Sequence, residues 1–291
     1  MSLADTIADW YERGHRDLPW RAEGFPAWGI LISEFMLQQT PVARVIPRLA
    51  EWLTRWPTPA DLAAVPPGEA VRAWDRLGYP RRALALHAAA TTIAERHDNV
   101  VPHDVDALLA LPGVGPYTAR AVAAFAYGVR TPVVDINVRR VLARAVEGRG
   151  EPGPAQTARE LALMEELLPV DEHRARLLNA GTMELGQTVC TARTPHCEAC
   201  PIASACAWRA AGYPPYAGPA APRQKPYAGS DREVRGRILR ELRASDTAVP
   251  AEAIAALWPD AVQLERALTG LLRDGLVTAD SAGGYELPTG R

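Results

Sequence analysis

Four cysteines lie close together near residue 200, and the 291-residue chain has no others: Cys190, Cys197, Cys200 and Cys206. In a cytosolic protein such clustering favours a metal site over disulfides. Four thiolates can hold either a zinc ion or a 4Fe–4S cluster. Zinc sites usually pair their cysteines as two close doublets. Here only Cys197 and Cys200 are so paired, and the outer gaps are six and five residues. The spacing therefore disfavours a zinc ribbon.

A glycine-rich turn, Leu-Pro-Gly-Val-Gly at 111–115, is the second feature that could do chemistry. It is expected to join two short helices, because Asp104 is placed to cap the first and Pro116 suits the start of the second. Gly113 and Gly115 let a ligand approach the backbone closely, and amides beside a helix N-terminus can bind a phosphate. The pattern is that of a helix-hairpin-helix, which grips the DNA backbone without reading its sequence. On its own, a Pro-Gly turn is more often a plain connection.

Helices must position both features, because apolar residues recur at helical spacing through roughly the first 210 residues. No segment there alternates apolar and polar residues for long enough to require a sheet. The sequence therefore predicts an all-α fold with Pro and Gly at the joints. The helical periodicity is clearest at 30–37, 71–77, 84–93, 105–109, 119–126 and 138–145.

The composition changes after residue 211. Residues 212–230 contain five prolines and predict a linker. Residues 231–291 predict three short helices followed by a hairpin, which together indicate a small winged-helix-like module. Its first helix carries several arginines, which raise the hypothesis that the module adds DNA contacts; a solvated helix face explains them equally well. These arginines are Arg232, Arg235, Arg237 and Arg240.

The charge and hydropathy of the chain limit its partners. A net charge of −2 does not indicate a nucleic-acid partner, so any DNA surface must be a local patch or rely on backbone amides. No apolar run approaches the ~20 residues that a membrane span needs. No basic stretch followed by an apolar segment stands at the start. We expect a soluble cytoplasmic protein that does not contact membranes.

The cysteine spacing, C-x6-C-x2-C-x5-C, matches the iron–sulfur loop of the endonuclease III superfamily. About twenty residues after the glycine-rich turn comes Val134-Asp135, and a hairpin followed by such an aspartate resembles the helix-hairpin-helix glycosylases of that superfamily. The resemblance implies a 4Fe–4S cluster on the four cysteines and a fold of two helical subdomains. It implies a catalytic domain at 1–211, with a six-helix subdomain at about 25–130 and a cluster subdomain formed by 1–24 and 131–211, then the linker at 212–230 and the module at 231–291.

Three segments narrow the resemblance further: Arg16–Arg21, Ser33–Thr40 and Gly181–Gly186. Together, over roughly residues 5–210, they resemble the MutY-type adenine DNA glycosylases, which remove adenine mispaired with 8-oxoguanine or guanine. The resemblance implies a base-excision-repair enzyme that acts as a monomer on double-stranded DNA containing a mispaired adenine. Two alternatives stay open: a thymine or uracil mismatch glycosylase on the same fold, and an inactive cluster-bearing DNA-binding protein.

The resemblance assigns the chemistry to two carboxyl groups. Adenine is a poor leaving group, so cleavage of its N-glycosidic bond needs an acid that protonates the base. Burial favours the neutral form of a carboxyl group, and Glu34 lies in an otherwise apolar helix; by resemblance it is the general acid. Asp135 matches the carboxylate that stabilises the oxocarbenium-like sugar, although it could also cap the helix that follows. Asn137 matches an asparagine that positions these groups.

Position 117 distinguishes two reaction types. Relatives that also cut the strand carry a lysine there, which forms a Schiff base. This chain has Tyr117, and its only lysine, Lys225, falls in the predicted linker. We therefore expect a monofunctional glycosylase that hydrolyses the base without strand cleavage.

The remaining assignments concern DNA and base recognition, since the target base must leave the stack to be reached. By resemblance, Gln39, Leu77 and Tyr79 wedge into the duplex, and the turn residues Gly113, Val114 and Gly115 hold its backbone. The same resemblance implies an adenine pocket formed by Arg16, Leu18, Trp20 and Glu184.

The sequence departs from the family pattern at three places. Pro80 stands where a second wedge tyrosine is usual, and Ile136 replaces a glycine in Asp-Gly-Asn. Many members also carry a NUDIX-like C-terminal domain that recognises 8-oxoguanine. The roughly 60 residues after Ser230 are too few and too helical for that domain, and they resemble the short tails of actinobacterial members.

Overall fold

The computed structural model describes residues 2–219 and 226–290, and these form fifteen α-helices with one small β-hairpin. Lys225 and part of the predicted linker lie outside the described residues. The helical prediction is confirmed. The helices are α1 (Leu3–Gly14), α2 (Ala27–Leu37), α3 (Val42–Arg55), α4 (Pro59–Ala63), α5 (Pro67–Trp74), α6 (Arg81–Arg96), α7 (Val105–Leu109), α8 (Pro116–Tyr127), α9 (Ile136–Ala145), α10 (Thr157–Leu167), α11 (Glu172–Thr188), α12 (Ala207–Ala210), α13 (Asp231–Ala244), α14 (Ala251–Ala255) and α15 (Ala261–Arg273).

Contacts group the chain into two compact units. The first unit comprises Met1–Ile30, His103–Leu109 and Gly115–Pro222, and the second comprises Leu31–Pro102, Ala110–Val114 and Arg223–Arg291. In this grouping α7 and α8 lie with the cysteine loop and not with the predicted six-helix subdomain, and the C-terminal module lies with the helices around Glu34. No helix among the described residues is both long and apolar enough to cross a bilayer.

Helices α1, α9 and α11 form the centre of the first unit around a core that includes Ile7, Val138 and Leu178. Two glycines of α11 allow this close packing. A Cβ at Gly181 would lie 2.9 Å from side-chain atoms of Ile7 and Tyr11, and a Cβ at Gly186 would lie 2.7 Å from the Cβ of Asn137. The Gly181–Gly186 segment therefore brings α1 and α9 against opposite ends of one short stretch of helix.

The predicted hairpin between α7 and α8 is present, with the expected caps. Asp104 accepts hydrogen bonds from the amides of Asp106 and Ala107 at 3.0 and 2.9 Å. Pro116 is the first residue of α8, and Gly128 ends that helix in the left-handed conformation. The caps thus define where α7 begins and where α8 begins and ends, as the sequence indicates.

In the second unit, aromatic edges and aliphatic side chains form the core. Trp52 packs edge-on against both Trp56 and Trp74, and Phe35 and Leu86 are fully buried. The C-terminal module contains α13–α15 and a hairpin in which β1 (Thr278–Ala279) pairs antiparallel with β2 (Tyr285–Glu286). This order of three helices and a hairpin is the predicted one.

Candidate active site and metal centre

Asp135 is the N-cap of α9, and its carboxylate is held by three hydrogen bonds. Oδ1 accepts from the amides of Asn137 and Val138 at 2.8 and 2.7 Å, and Oδ2 accepts from the Asn137 side chain at 2.6 Å. Burial raises the pKa of Asp135 above its ordinary value, and these hydrogen bonds and the charge of Arg140 only partly offset that effect. The carboxyl group is therefore oriented by the helix and less acidic than an exposed aspartate.

Arg140 links Asp135 to the cysteine loop. Its Nη2 donates to the side-chain oxygen of Asn137 at 2.9 Å, and its Nε donates to the carbonyl oxygen of Cys190 at 2.7 Å. Only 8% of Arg140 is exposed. A continuous chain of hydrogen bonds therefore runs from the Asp135 carboxylate through Asn137 and Arg140 to the first cysteine.

Arg144, one turn further along α9, fixes the start of the cysteine loop. Its guanidinium donates to the carbonyl oxygens of Thr191 and Ala192 at 2.7 and 3.0 Å, and to the sulfur of Cys190 at 3.4 Å. The ring of Trp208 lies under the same guanidinium at 4.8 Å. The loop is thus tied to α9 by a buried cation.

The four cysteines line a single cavity, which satisfies the main requirement of a four-thiolate cluster. Within the described ranges, no three His, Cys, Asp or Glu side chains are grouped as the ligands of one metal ion. Burial raises the thiol pKa of Cys190, and it raises that of Cys200 to about 11. The donor set is all sulfur, and aliphatic walls and Arg144 surround it, as expected for an iron–sulfur cluster. The cavity is lined by Cys190, Cys197, Cys200, Cys206, Val141, Arg144, Val189, Ile202 and Trp208, among others.

Glu184 is almost entirely buried and is bound by two arginines. Its carboxylate accepts from Nε and Nη2 of Arg16, each at 2.6 Å, and from Nη2 of Arg21 at 2.8 Å. Burial by itself would raise the pKa of Glu184, but the two arginines outweigh it and lower that pKa to about 2. Arg16 also donates to Gln187 at 2.6 Å and stays 38% exposed at its side chain. The carboxylate therefore positions Arg16, and Arg16 is the member of the pair that faces outward.

The other predicted acid and pocket residues have contrasting environments. Glu34 lies on α2, in the second unit, and is only 5% exposed, between the buried Ser33 and Phe35. In the first unit Leu18 is buried, whereas Trp20 is partly exposed at a 3-10 turn. Glu34 is therefore buried, which is the condition that the proposed role of a general acid requires.

Gln39 and Tyr79 come together although they are 40 residues apart. The Tyr79 hydroxyl donates to Oε1 of Gln39 at 2.6 Å, and both residues have a positive φ, of 48° and 56°. Arg82 stacks on the Tyr79 ring at 4.5 Å and donates to the carbonyl oxygen of Gln38. Leu77, in contrast, is buried, and its carbonyl accepts from Thr40 at 3.0 Å. The exposed tip therefore consists of Gln39 and Tyr79, with Leu77 beneath it.

The two glycines of the hairpin, Gly113 and Gly115, lie in different environments. Gly113 has φ of 73°, and a Cβ there would lie 2.5 Å from the Cβ of Ala85. At Gly115, the N-cap of α8, a Cβ would meet no atom of the described chain within 4 Å. Val114 is buried, and Tyr117 packs on a small cluster that includes Ala121. Gly113 serves the fold, while Gly115 leaves space in front of a helix N-terminus.

Family models match two parts of the chain. One describes the HhH-GPD superfamily base excision DNA repair proteins and matches residues 32–166; the other describes the iron–sulfur binding domain of endonuclease III and matches residues 190–206. The solved structure of a thermostable thymine-DNA glycosylase superposes with a TM-score of 0.65 at 29% identity, covering 72% of this chain and 95% of that one. The thymine/uracil-DNA glycosylase of Pyrobaculum aerophilum is 36% identical and covers 69% of this chain and 88% of its own.

A longer match decides the family. The adenine DNA glycosylase of Mycobacterium tuberculosis is 53% identical over 289 residues, which is 98% of this chain and 94% of the relative. The chain belongs to the adenine DNA glycosylase family. It is a DNA glycosylase of base excision repair with an iron–sulfur binding domain on its four cysteines, as the sequence predicts.

Sequence reasoning missed several arginines of this glycosylase. Arg21 belongs to the Arg16–Arg21 motif, but the sequence does not predict that it is the second cation on Glu184. Arg140 and Arg144 carry the link from Asp135 to the cysteine loop. The sequence does contain a signal for these two arginines. They lie four residues apart, and therefore on one face of α9, among apolar residues that are expected to be buried.

The two hairpin glycines should respond differently to alanine. Gly113→Ala should lower the free energy of unfolding by about 1–3 kcal/mol, because a left-handed residue gains a Cβ that overlaps Ala85. Gly115→Ala should cost less than about 1 kcal/mol but weaken duplex binding. Urea denaturation measures the free energy of unfolding of each variant, and titration with duplex DNA measures its affinity. An equal stability loss in the two variants would contradict the distinction.

Glu184→Gln should destabilise the folded state by roughly 2–4 kcal/mol at neutral pH, since it leaves two arginines without their buried partner. Because the folded-state pKa is lowered to about 2 from 4.5, the contribution of Glu184 is complete above pH 4.5 and is lost as pH falls toward 2. The stability difference between the two proteins should therefore shrink over that range in pH-dependent unfolding. Glu165→Gln, which breaks the more exposed pair with Arg130, is the control and should change stability by less than about 1 kcal/mol.

Proposed function

We propose that this glycosylase hydrolyses the N-glycosidic bond of adenine in double-stranded DNA, where adenine lies opposite 8-oxoguanine or guanine. The main support is the extent of the match to the mycobacterial adenine DNA glycosylase, which includes the C-terminal module. The thymine/uracil relative matches only 69% of the chain at lower identity. We further propose that the enzyme acts as a monomer in the cytoplasm.

Recognition of the base is assigned to Arg16, which Glu184 and Arg21 hold in place. A purine presents ring nitrogens that accept hydrogen bonds, and a guanidinium offers only donors. Since the Glu184 carboxylate is already bound by two arginines, its role in this proposal is to aim Arg16. Leu18 and Trp20 supply apolar walls to the pocket.

Access to the base requires that it leave the helical stack. In this proposal the exposed tip formed by Gln39 and Tyr79 enters the duplex and occupies the space that opens. The hydrogen bond between the two side chains and the stacking of Arg82 on Tyr79 keep the tip rigid. The N-terminus of α8 beside Gly115 holds a phosphate of the backbone.

Bond cleavage is assigned to Glu34 and Asp135. Glu34 gives its proton to a ring nitrogen of adenine, and the C–N bond breaks with its electron pair leaving on the base. The Asp135 carboxylate stabilises the cationic sugar until water adds to it and releases a proton. Tyr117 offers no amine, so the product keeps an intact strand. Cys190, Cys197, Cys200 and Cys206 would hold the cluster, which supplies cross-links and one-electron chemistry but no part of the cleavage.

A second candidate function is removal of thymine or uracil from mismatches with guanine, which the identity to the Pyrobaculum aerophilum enzyme favours. Single-turnover assays on duplexes with A opposite 8-oxoguanine, A opposite G, T opposite G, and U opposite G separate the two functions. Release of adenine, fastest opposite 8-oxoguanine, supports the first proposal. Release of thymine or uracil alone would replace it.

Glu34→Gln should abolish adenine release while leaving duplex affinity within about twofold of wild type, because the amide fills the same space but cannot donate the proton. We expect a loss of about 1,000-fold in the single-turnover rate, which is within the range of about 100- to 10,000-fold that one general acid contributes. Gel-based excision and fluorescence titration measure the two quantities. Persistent release by this variant would exclude Glu34 as the acid.

The raised pKa of Asp135 should be visible in the pH dependence of the single-turnover rate. The carboxylate must be ionised, so the rate should fall on the acidic side at a higher pH than an ordinary aspartate would give. Arg140→Gln removes a charge that lowers this pKa and should move the acidic limb to still higher pH. Arg139→Gln, which pairs with Glu160 instead, should leave the limb in place. Identical profiles for all three proteins would contradict this role of Arg140.

A further inference from the structure

The C-terminal module, residues 231–290, is joined to helix α5 by a reciprocal pair of arginines. Arg72 of α5 donates to the carbonyl oxygens of Arg243 and Ser245, the latter at 3.0 Å, at the end of α13. Arg243 donates from Nε to the carbonyl oxygen of Val71 at 3.1 Å, in the last turn of α5. The last carbonyls of a helix have no partner within it. Each helix thus provides the cap for the other.

A close backbone contact fixes the opposite end of α5. The amide of Gly68 donates to the carbonyl oxygen of Pro288 at 2.8 Å. A Cβ at Gly68 would lie 2.7 Å from that oxygen and 2.9 Å from the Cβ of Leu287. The module therefore holds α5 at both ends, and only glycine fits at the first of them.

Helix α5 leads directly to the exposed tip. It ends at Trp74, whose indole donates to the carbonyl oxygen of Gly78 at 2.8 Å, next to Tyr79. The following helix, α6, begins at Arg81, which pairs with Asp274 of the module at 3.6 Å. The module thus contacts both helices that flank Tyr79.

The module itself is poorly suited to hold DNA. Residues 231–290 contain seven arginines and ten acidic residues, and an acidic surface repels phosphates. Two arginines of α13 proposed from the sequence as DNA contacts are engaged within the module: Arg235 pairs with Asp274 at 2.6 Å, and Arg237 with Glu233 at 2.8 Å. These pairings argue against the hypothesis that the first helix of the module adds DNA contacts.

We propose that the C-terminal module is a brace that holds the Gln39–Tyr79 tip through α5, with Arg72, Arg243 and Gly68 as positioning residues, and that it does not touch DNA. The inference rests on the proposed function only in taking that tip as the part of the enzyme that enters the duplex. It assigns a role to residues 231–290, which the sequence predicts only as a small winged-helix-like module.

The test measures binding of an A opposite 8-oxoguanine duplex by the full chain, with Glu34→Gln in every protein so that no base is released. Arg243→Ala and Gly68→Ala should each weaken binding about tenfold, and hydrogen exchange at residues 75–80 should become faster. The slope of log Kd against log salt should not change, because no phosphate contact is lost. Arg240→Ala, an exposed arginine on the same helix, should have no effect.

A double-mutant cycle shows whether the brace acts through the tip. In the Tyr79→Ala background, Arg243→Ala and Gly68→Ala should weaken binding no further. Full additivity, or a salt slope smaller by about one for Arg243→Ala, would overturn the proposal. If Arg243→Ala does not fold, Gly68→Ala decides alone, since it displaces the module without removing a charge. Failure of the proposed function would be visible separately, as absence of adenine release by the wild-type enzyme.

Discussion

The two buried guanidinium groups of α9 determine the arrangement of the first unit. Arg140 and Arg144 are 8% and 4% exposed, and a charge so placed is tolerated only when its donors are paired. Their partners include three carbonyl oxygens of the segment that begins at Cys190. The cysteine loop is therefore held by α9 as well as by any metal it binds. Because Asp135 caps the same helix, its carboxylate and the cysteine loop are positioned by one element.

The links between α9 and the cysteine loop depend on the side chain being arginine and not lysine. The chain has 32 basic residues and a single lysine, and a guanidinium fork reaches two or three acceptors at once, which an ammonium group on a flexible stem does less well. The same device recurs at Arg72, which serves the end of α13, and at Arg130, which donates to the carbonyls of Leu168 and Pro169. Helix ends that lack a Gly cap are thereby satisfied by a side chain from elsewhere in the same unit.

The local chemistry of the fold could be predicted from the sequence, whereas its long-range pairings could not. Asp104, Pro116 and Gly128 define the helices around the hairpin through caps that act over a few residues. The partners of Glu184 lie more than 160 residues away, so no periodicity reveals that its carboxylate is already bound. The same limit applies to Leu77, whose carbonyl oxygen is bound by Thr40, 37 residues earlier in the chain.

The grouping of the C-terminal module with the second unit was missed for a related reason. A proline-rich segment and a change in composition indicate a linker. They contain no information about the surface on which the module after that linker packs. Docking depends on the Gly68 amide donating to the carbonyl oxygen of Pro288 and on Arg72 reaching the end of α13. Neither residue is distinctive in the sequence, because a glycine in the first turn of a helix and an arginine in its last turn are both ordinary.

A DNA-binding enzyme with a net charge of −2 must obtain its affinity locally. Much of its arginine is engaged inside the protein, at Glu184, at the cysteine loop and between α5 and α13. Those cations orient other groups and contribute little to long-range attraction. Under the proposed function, the backbone amides beside Gly115 bind phosphate, and exposed arginines such as Arg81, whose side chain is 71% exposed, are available to add to that contact. Binding through backbone amides requires a rigid hairpin and a rigid tip. The packing of Gly113 on Ala85 and the contacts of Tyr79 with Gln39 and Arg82 are consistent with that requirement.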